Sequence, residues 1–227
     1  MKKSLLLLSI LALAIASTPA LAKKKEELPE YTVEGLKRVE NPKNLAVVYA
    51  EPGANLSQYK RVYITEPYVA FKKNWQRDQN RGVSMRITTK DMDRIKINVA
   101  ELFMEVFTEV LNEGGYELAD ERAEDVLIVK PAIIDLNVHA PDTMSAGRSN
   151  TYTQSAGSMT LYIELYDSAT DDLLAKALDP TGDRQSAFMQ WQTGPANRQA
   201  GKRMMKPWAE ALRDGLDRAR EETGEDK

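Results

Sequence analysis

From Thr88 to Gly115 the apolar residues Met92, Ile95, Val99, Leu102, Val106 and Val110 recur at three- and four-residue steps. That spacing predicts one apolar stripe on a long helix. Phe103, Phe107 and Leu111 widen the stripe, so the helix must pack against something large. Thr88 and Asp91 form a capping box with Asp in place of Glu or Gln, and Gly114-Gly115 supplies the left-handed stop. Near the end of the chain Ala200, Met204, Trp208, Leu212, Leu216 and Ala219 line a second stripe. Pro207 interrupts it, which predicts either a kink or a helix restarting with Pro207 in its first turn.

Between and before these helices the period changes to two. Leu45 opens a short apolar strand, and Tyr59 to Phe71 reads as a stronger one with Pro67 at an edge or bulge. Tyr116 to Asp120 reads as a strand entered directly from the first helix. Asp125 to Ala140 starts apolar on both sides and then alternates, with Ile134, Leu136 and Val138 against Asp135, Asn137 and His139. Ser158 to Asp179 reads as a hairpin about the turn "DSATDD", with Thr160, Tyr162, Glu164 and Tyr166 on one strand face. Pro141 to Gly157 and Thr181 to Gln199 have no period and read as loops. The expected fold is an α/β (α+β) two-layer sandwich: a mixed sheet of about five strands with two long helices on one face.

The ends carry a different signal. Lys2 and Lys3, an apolar run from Leu5 to Ala16, Pro19 and the small pair Ala20 and Ala22 read as a signal peptide cut after Ala22. A run of about a dozen residues is too short for a spanning helix, which needs about 20. The expected organisation is signal peptide 1–22, a charged flexible arm 23–44, a single domain 45–222 and a disordered tail 223–227. The formal charge of the 227-residue chain is −3, and losing Lys2 and Lys3 makes the mature chain more acidic. No global attraction to nucleic acid follows. The chain has no cysteine, which excludes disulfides, thiolate metal sites, a cysteine nucleophile and a thioether lipid anchor. The expected localisation is periplasmic and soluble, with no stable membrane anchor after cleavage.

Little of the sequence is catalytic equipment. His139 is the single histidine, which excludes histidine-cluster metal sites. It could serve one acid–base pair with Asp135 or Glu164, but residues four apart on a strand are separated by about 13 Å. Asp167, Asp171, Asp172, Asp179 and Asp183 gather around the hairpin and read as turn formers or as calcium ligands, without the spacing of a calcium loop. There is no nucleophile elbow and no phosphate-binding glycine loop. Two surfaces remain for binding. One is the open face bearing Asp135, Asn137, His139, Tyr162, Glu164 and Tyr166. The other is the basic stretch Lys72 to Lys90, with Trp75, Arg77 and Arg81. It reads either as a patch for an anionic partner or as a solvated loop whose tryptophan folds back on the core.

Five segments come in a characteristic order: "NLSQYKRVYI", "NEGGYELAD", "DVLIVKPAIIDL", "GSMTLYIELYDSATDDLLAKALD" and "KPWAEALRDGLD". Over about Leu45 to Arg220 the chain resembles the bacterial exported-protein and lipoprotein family called domain of unknown function 3313. The resemblance implies a small exported α/β domain, similar in outline to the amino-terminal domain of the TolB translocation protein. It implies no activity and no catalytic residues. Many members look lipidated at a cysteine that this chain lacks. The functional expectation is a non-enzymatic, soluble periplasmic accessory or binding protein of the cell envelope with a possible envelope protein partner. No cofactor, metal or nucleic acid is expected. The alternatives are a small-ligand carrier using a cleft by the 141–157 loop, or a hydrolase around His139.

Overall fold

The computed structural model describes residues 28–82, 86–139, 151–153, 156–183, 190–192 and 194–224. The expected signal peptide and the greater part of the 141–157 loop lie outside the described residues. The strands are β1 (Lys37–Arg38), β2 (Val47–Ala50), β3 (Arg61–Ile64), β4 (Tyr68–Phe71), β5 (Glu117–Leu118), β6 (Val126–Val138), β7 (Thr151–Thr153), β8 (Gly157–Asp167), β9 (Leu173–Gly182) and β10 (Gln190–Gln192). The helices are α1 (Trp75–Gln79), α2 (Thr89–Glu113) and α3 (Gly194–Thr223).

Eight strands form one mixed sheet in the order β1-β2-β9-β8-β6-β3-β5, with β4 also paired to β6; β7 and β10 pair separately. The sheet is larger than the five strands expected, for a local reason. Pro67, which has no N–H to donate, lies in the gap that splits the expected 59–71 strand into β3 and β4, both parallel to β6. Two more strands, β1 and β5, are only two residues long, below what a periodicity argument can detect.

The helices lie on one face of the sheet. Ile95, Phe103, Val106 and Phe107 of α2 and Met205, Trp208 and Leu216 of α3 share one core with Val62, Val129, Ile133, Leu161 and Ile163 of the strands. Phe103 and Phe107 stack at 3.9 Å between ring centroids. The expected box at Thr88 is present: its hydroxyl accepts from Asp91 N at 3.2 Å, and its own N–H donates to Asp91 Oδ2 at 3.0 Å. The α3 helix runs through Pro207, which is exposed, in place of restarting there. The polar tips of deep aromatic residues find carboxylates: Tyr59 donates to Asp167 (2.6 Å), Tyr116 to Asp217 (2.7 Å) and the Trp208 indole to Asp179 (2.7 Å).

Two expectations are corrected. First, residues 28–44 are not a detached arm from Leu28 onward. β1 pairs with β2, Leu36 is 2% exposed, and Tyr49 donates its hydroxyl to Pro29 O at 2.9 Å. One buried leucine and a strand partner outweigh the charged composition of the segment. Second, the alternation of Ile134, Leu136 and Val138 against Asp135, Asn137 and His139 is broken. The pairing of β6 with β8 shifts between Ile134 and Asn137, where Asp135 takes φ +52°. This bulge moves Ile134 out of phase: Ile133 and Leu136 are buried, while Ile134 stands opposite Thr160.

Beside the bulge, Gly157 has φ +147°, and a Cβ there would lie 1.9 Å from Asn137 O. Gly182, on the neighbouring strand, offers ordinary 3.7 Å contacts to an added Cβ. Gly157→Ala is therefore expected to cost about 2 kcal/mol or more, through backbone strain and displacement of β6. Gly182→Ala should cost well under half of that. Thermal unfolding followed by circular dichroism checks the pair, and equal losses would contradict this reading of the bulge.

Candidate functional site

On the sheet face away from the helices, Lys130 of β6, Glu164 of β8 and Lys176 of β9 stand in one cross-strand row. Tyr162 donates to Glu164 Oε1 at 2.5 Å and Tyr166 to Oε2 at 2.7 Å. Lys176 Nζ lies 2.6 Å from Glu34 and 3.5 Å from Glu164, and Lys130 Nζ sits 3.8 Å from the Tyr166 ring centroid. Burial alone would raise Glu164. The two tyrosine hydrogen bonds and the Lys176 charge outweigh it and leave the carboxyl below its ordinary value. Both tyrosines are pushed up to about 12, first by burial and then by the bond to Glu164. The structure thus brings Tyr162, Glu164 and Tyr166 together, but spends their polar atoms on one another. Glu34 and Lys176, 142 residues apart, complete the cluster and carry no local sequence signal.

The basic stretch resolves differently. Trp75 is 4% exposed, stacks on Phe71 at 4.2 Å and donates its indole N–H to Val138 O at 3.1 Å. It is a core residue, which corrects its place among the binding candidates: the apolar floor beneath the loop takes the ring. Arg77 pairs with its neighbour Asp78 at 2.9 Å, and Arg81 is exposed. Lys72, Lys73, Arg77 and Lys96 rim an open depression floored by Phe71 and Met92.

Asp135 is exposed on the bulge. The Asn137 amide meets His139 Nε2 at 3.1 Å, and His139 N donates to Ala156 O at 3.0 Å. Val138 stands opposite Gly157, so Glu164 lies seven residues farther along β8, roughly 23 Å away. It is not a catalytic companion for His139. Four of the five hairpin aspartates have their carboxylates engaged in structure. Asp167 accepts from Ala169 N and Thr170 N, Asp171 pairs with Arg122, Asp179 accepts from Ala46 N, and Asp183 pairs with Arg203. Among the described residues no three His, Asp or Glu side chains gather as a metal site.

Beneath this end of the sheet lies a cavity of about 370 Å³. Its walls come from α2 (Ile95, Val99, Leu102), from β6 and β8 (Leu136, Val138, Met159) and from α3 (Gly201, Met204, Met205). Close approach of the helices helps to shape it, because a Cβ on Gly201 would lie 2.6 Å from Leu102 Cδ2. The rim holds Asn98, Asn137 and Asn197 with Arg94 and Arg198. Both arginines are already matched, Arg94 by Asp91 at 3.7 Å and Arg198 by Glu105, which also takes Lys202 at 2.6 Å. The site is an apolar chamber with neutral amides at its mouth. Its lining was read in sequence as the apolar faces of separate helices and strands, and the alternative ligand site was placed by the 141–157 loop.

The Glu34–Lys176 pair makes a checkable demand on pH. Hydrogen bonding to Lys176 is the largest of the effects that hold Glu34 down at about 2 against an ordinary 4.5. Its contribution is complete above about 4.5 and lost as the pH falls toward 2. Lys176, raised to about 12 from 10.5, first by Glu34, loses its contribution only as the pH rises through that upper range. Lys176→Met should flatten the fall of the thermal midpoint between these acid limits and speed amide exchange at 28–36. Parallel midpoint curves for wild type and variant would rule the clamp out.

The family model described as a protein of unknown function, DUF3313, matches residues 26–212, and the chain belongs to that family. No curated protein matches it. Among solved structures it is similar to the PelC dodecamer protein from Paraburkholderia phytofirmans (12% identity, TM-score 0.38, 73% of this chain and 96% of that one). It is also similar to a DUF330 protein from Xanthomonas campestris (12%, 0.39, 74% and 89%). A third is a DUF4136 protein from Bacteroides thetaiotaomicron (14%, 0.34, 77% and 98%).

Proposed function

We propose that this chain is a non-enzymatic binding protein that holds a small, uncharged, mainly apolar ligand in the cavity between α2, α3 and the paired ends of β6 and β8. The observation that carries this reading is the chamber of about 370 Å³, which falls within the size range of small-molecule sites. Its chemistry narrows the ligand. Leucine, isoleucine and valine side chains offer dispersion contacts, and Met159, Met204 and Met205 offer adaptable ones. The amides at the mouth supply hydrogen bonds without charge. An anionic ligand would have to displace Asp91 or Glu105 from the rim arginines, and a cationic one would meet those arginines directly.

This choice favours a carrier over recognition through the tyrosine face, since Tyr162 and Tyr166 already give their hydroxyl protons to Glu164. A hydrolase around His139 loses Glu164 as a companion. The carrier would act in the periplasm, where the leader read in residues 1–22 would deliver it.

A neutral fluorescent naphthylamine, N-phenylnaphthylamine, should light up on binding wild-type protein. Val99→Trp and Met204→Phe each fill the chamber from a different helix and should weaken binding about tenfold, equivalent to about 1.4 kcal/mol, with little change in thermal midpoint. Native mass spectrometry of protein from its own periplasm should show a bound neutral mass. Unchanged dye binding in both folded variants, together with a clean apo spectrum, would sink the proposal.

A further inference from the structure

The first three turns of α2 are a shared wall. Arg94, Ile95 and Asn98 face the cavity, whereas Met92 and Lys96 face the depression on the other side. That depression is unlike the rest of the molecule in charge. Between Lys72 and Lys96 the chain carries eight basic side chains against three acidic, in a protein of net charge −3. Of the cations at the rim, Arg77 is paired with Asp78. Lys72, Lys73 and Lys96 form no ion pair with any described residue. Several other cations of the chain are matched: Arg61 with Asp125, Arg122 with Asp171, Lys176 with Glu34, Lys202 with Glu105.

The arrangement of the three lysines is built into the fold. Lys72 N donates to Leu136 O, fixing the chain beside the β6 bulge. Asn74 then takes φ +64°, and Trp75 is driven into the core, so Lys72 and Lys73 are held outward on a tight turn. Lys96 reaches the same depression from α2 across the floor made by Phe71 and Met92. Unpaired ammonium groups kept close together raise one another's energy, and an anionic partner relieves that repulsion.

We propose that the Lys72–Lys73–Lys96 depression docks the protein on an anionic phospholipid surface, with the lysines among the lipid phosphates. Lysine is a mobile point charge suited to a diffuse headgroup layer, where a fitted site for one small anion would call for the bidentate geometry of arginine. The depression is also open, as a surface contact requires. Choosing a lipid surface over a soluble polyanion rests on the carrier reading: an uncharged apolar ligand is exchanged with an apolar phase, and the patch and the cavity share α2 as a wall.

The experiment is flotation of the purified protein with two vesicle preparations, phosphatidylcholine alone and equimolar phosphatidylcholine with phosphatidylglycerol. Binding should require phosphatidylglycerol and weaken steeply with added salt. Each single Lys→Gln change at 72, 73 or 96 should reduce it about fivefold, and the triple variant roughly a hundredfold. All three positions are wholly or partly exposed, so the variants should keep the wild-type thermal midpoint. The triple variant should still bind N-phenylnaphthylamine, and Val99→Trp should still bind vesicles, which separates failure of the patch from failure of the cavity. Equal flotation with both vesicle types, or an unaltered triple variant, overturns the proposal. So does loss of vesicle binding by folded Val99→Trp, or lysine-dependent binding of soluble tripolyphosphate without any vesicle binding.

Discussion

The strand β6 is the constraint on which the rest depends. Over thirteen residues it pairs with β8 on one side and with both β3 and β4 on the other. Val126, Leu127, Ile128 and Val129 are buried in succession, so its first part is covered on both faces. A strand so engaged fixes the register of its neighbours, because past Val129 its buried residues alternate and slipping by one residue would turn them outward. The bulge at Asp135 is where this regularity is broken, and its consequences meet there. Asn137 O closes on Gly157, Lys72 anchors to Leu136, and Trp75 anchors to Val138. The cavity and the lysine depression both begin at this break.

The cavity is best understood as a packing compromise between helices. Glycine at 201 lets α3 approach Leu102 of α2, and Gly114 is similarly close to Arg213 near the other end of α2. Helices pinned together at two points over a twisted sheet do not follow its surface everywhere. At the β6–β8 end the space left is filled by no described side chain and is walled by methionine and aliphatic groups. The α3 helix contributes two of the methionines that line it, Met204 and Met205, the residue type that packs irregular gaps most easily.

The polar features divide into those that close on themselves and those that do not. Glu164 gathers two tyrosines and a lysine. Asp167 serves Tyr59 and its own turn, and Asp179 serves Ala46 and Trp208. Such groups hold buried aromatic rings in place and have little left for a ligand. The Lys72, Lys73 and Lys96 ammonium groups stay outside any such closure. The sheet face that read as a recognition surface in the sequence has its tyrosine and carboxylate groups engaged with one another, whereas the basic stretch, which read either as a patch for an anionic partner or as a solvated loop, leaves three lysines without an ion pair to any described residue.

The sequence by itself determined both long helices, the β8–β9 hairpin, the long strand β6 and the capping box at Thr88. Each is a local pattern in which the period of the apolar residues or the chemistry of a cap acts within a few positions. It also marked Tyr162, Glu164 and Tyr166 as neighbours, since they alternate on one strand. Tertiary structure alone decided the phase shift at Asp135, the docking of Leu36 and Glu34 on the sheet, the burial of Trp75 and the existence of the cavity. The physical reason is distance along the chain. A bulge depends on the partner strand, the Glu34–Lys176 pair spans 142 residues, and a cavity is the space between surfaces whose separation no single segment encodes.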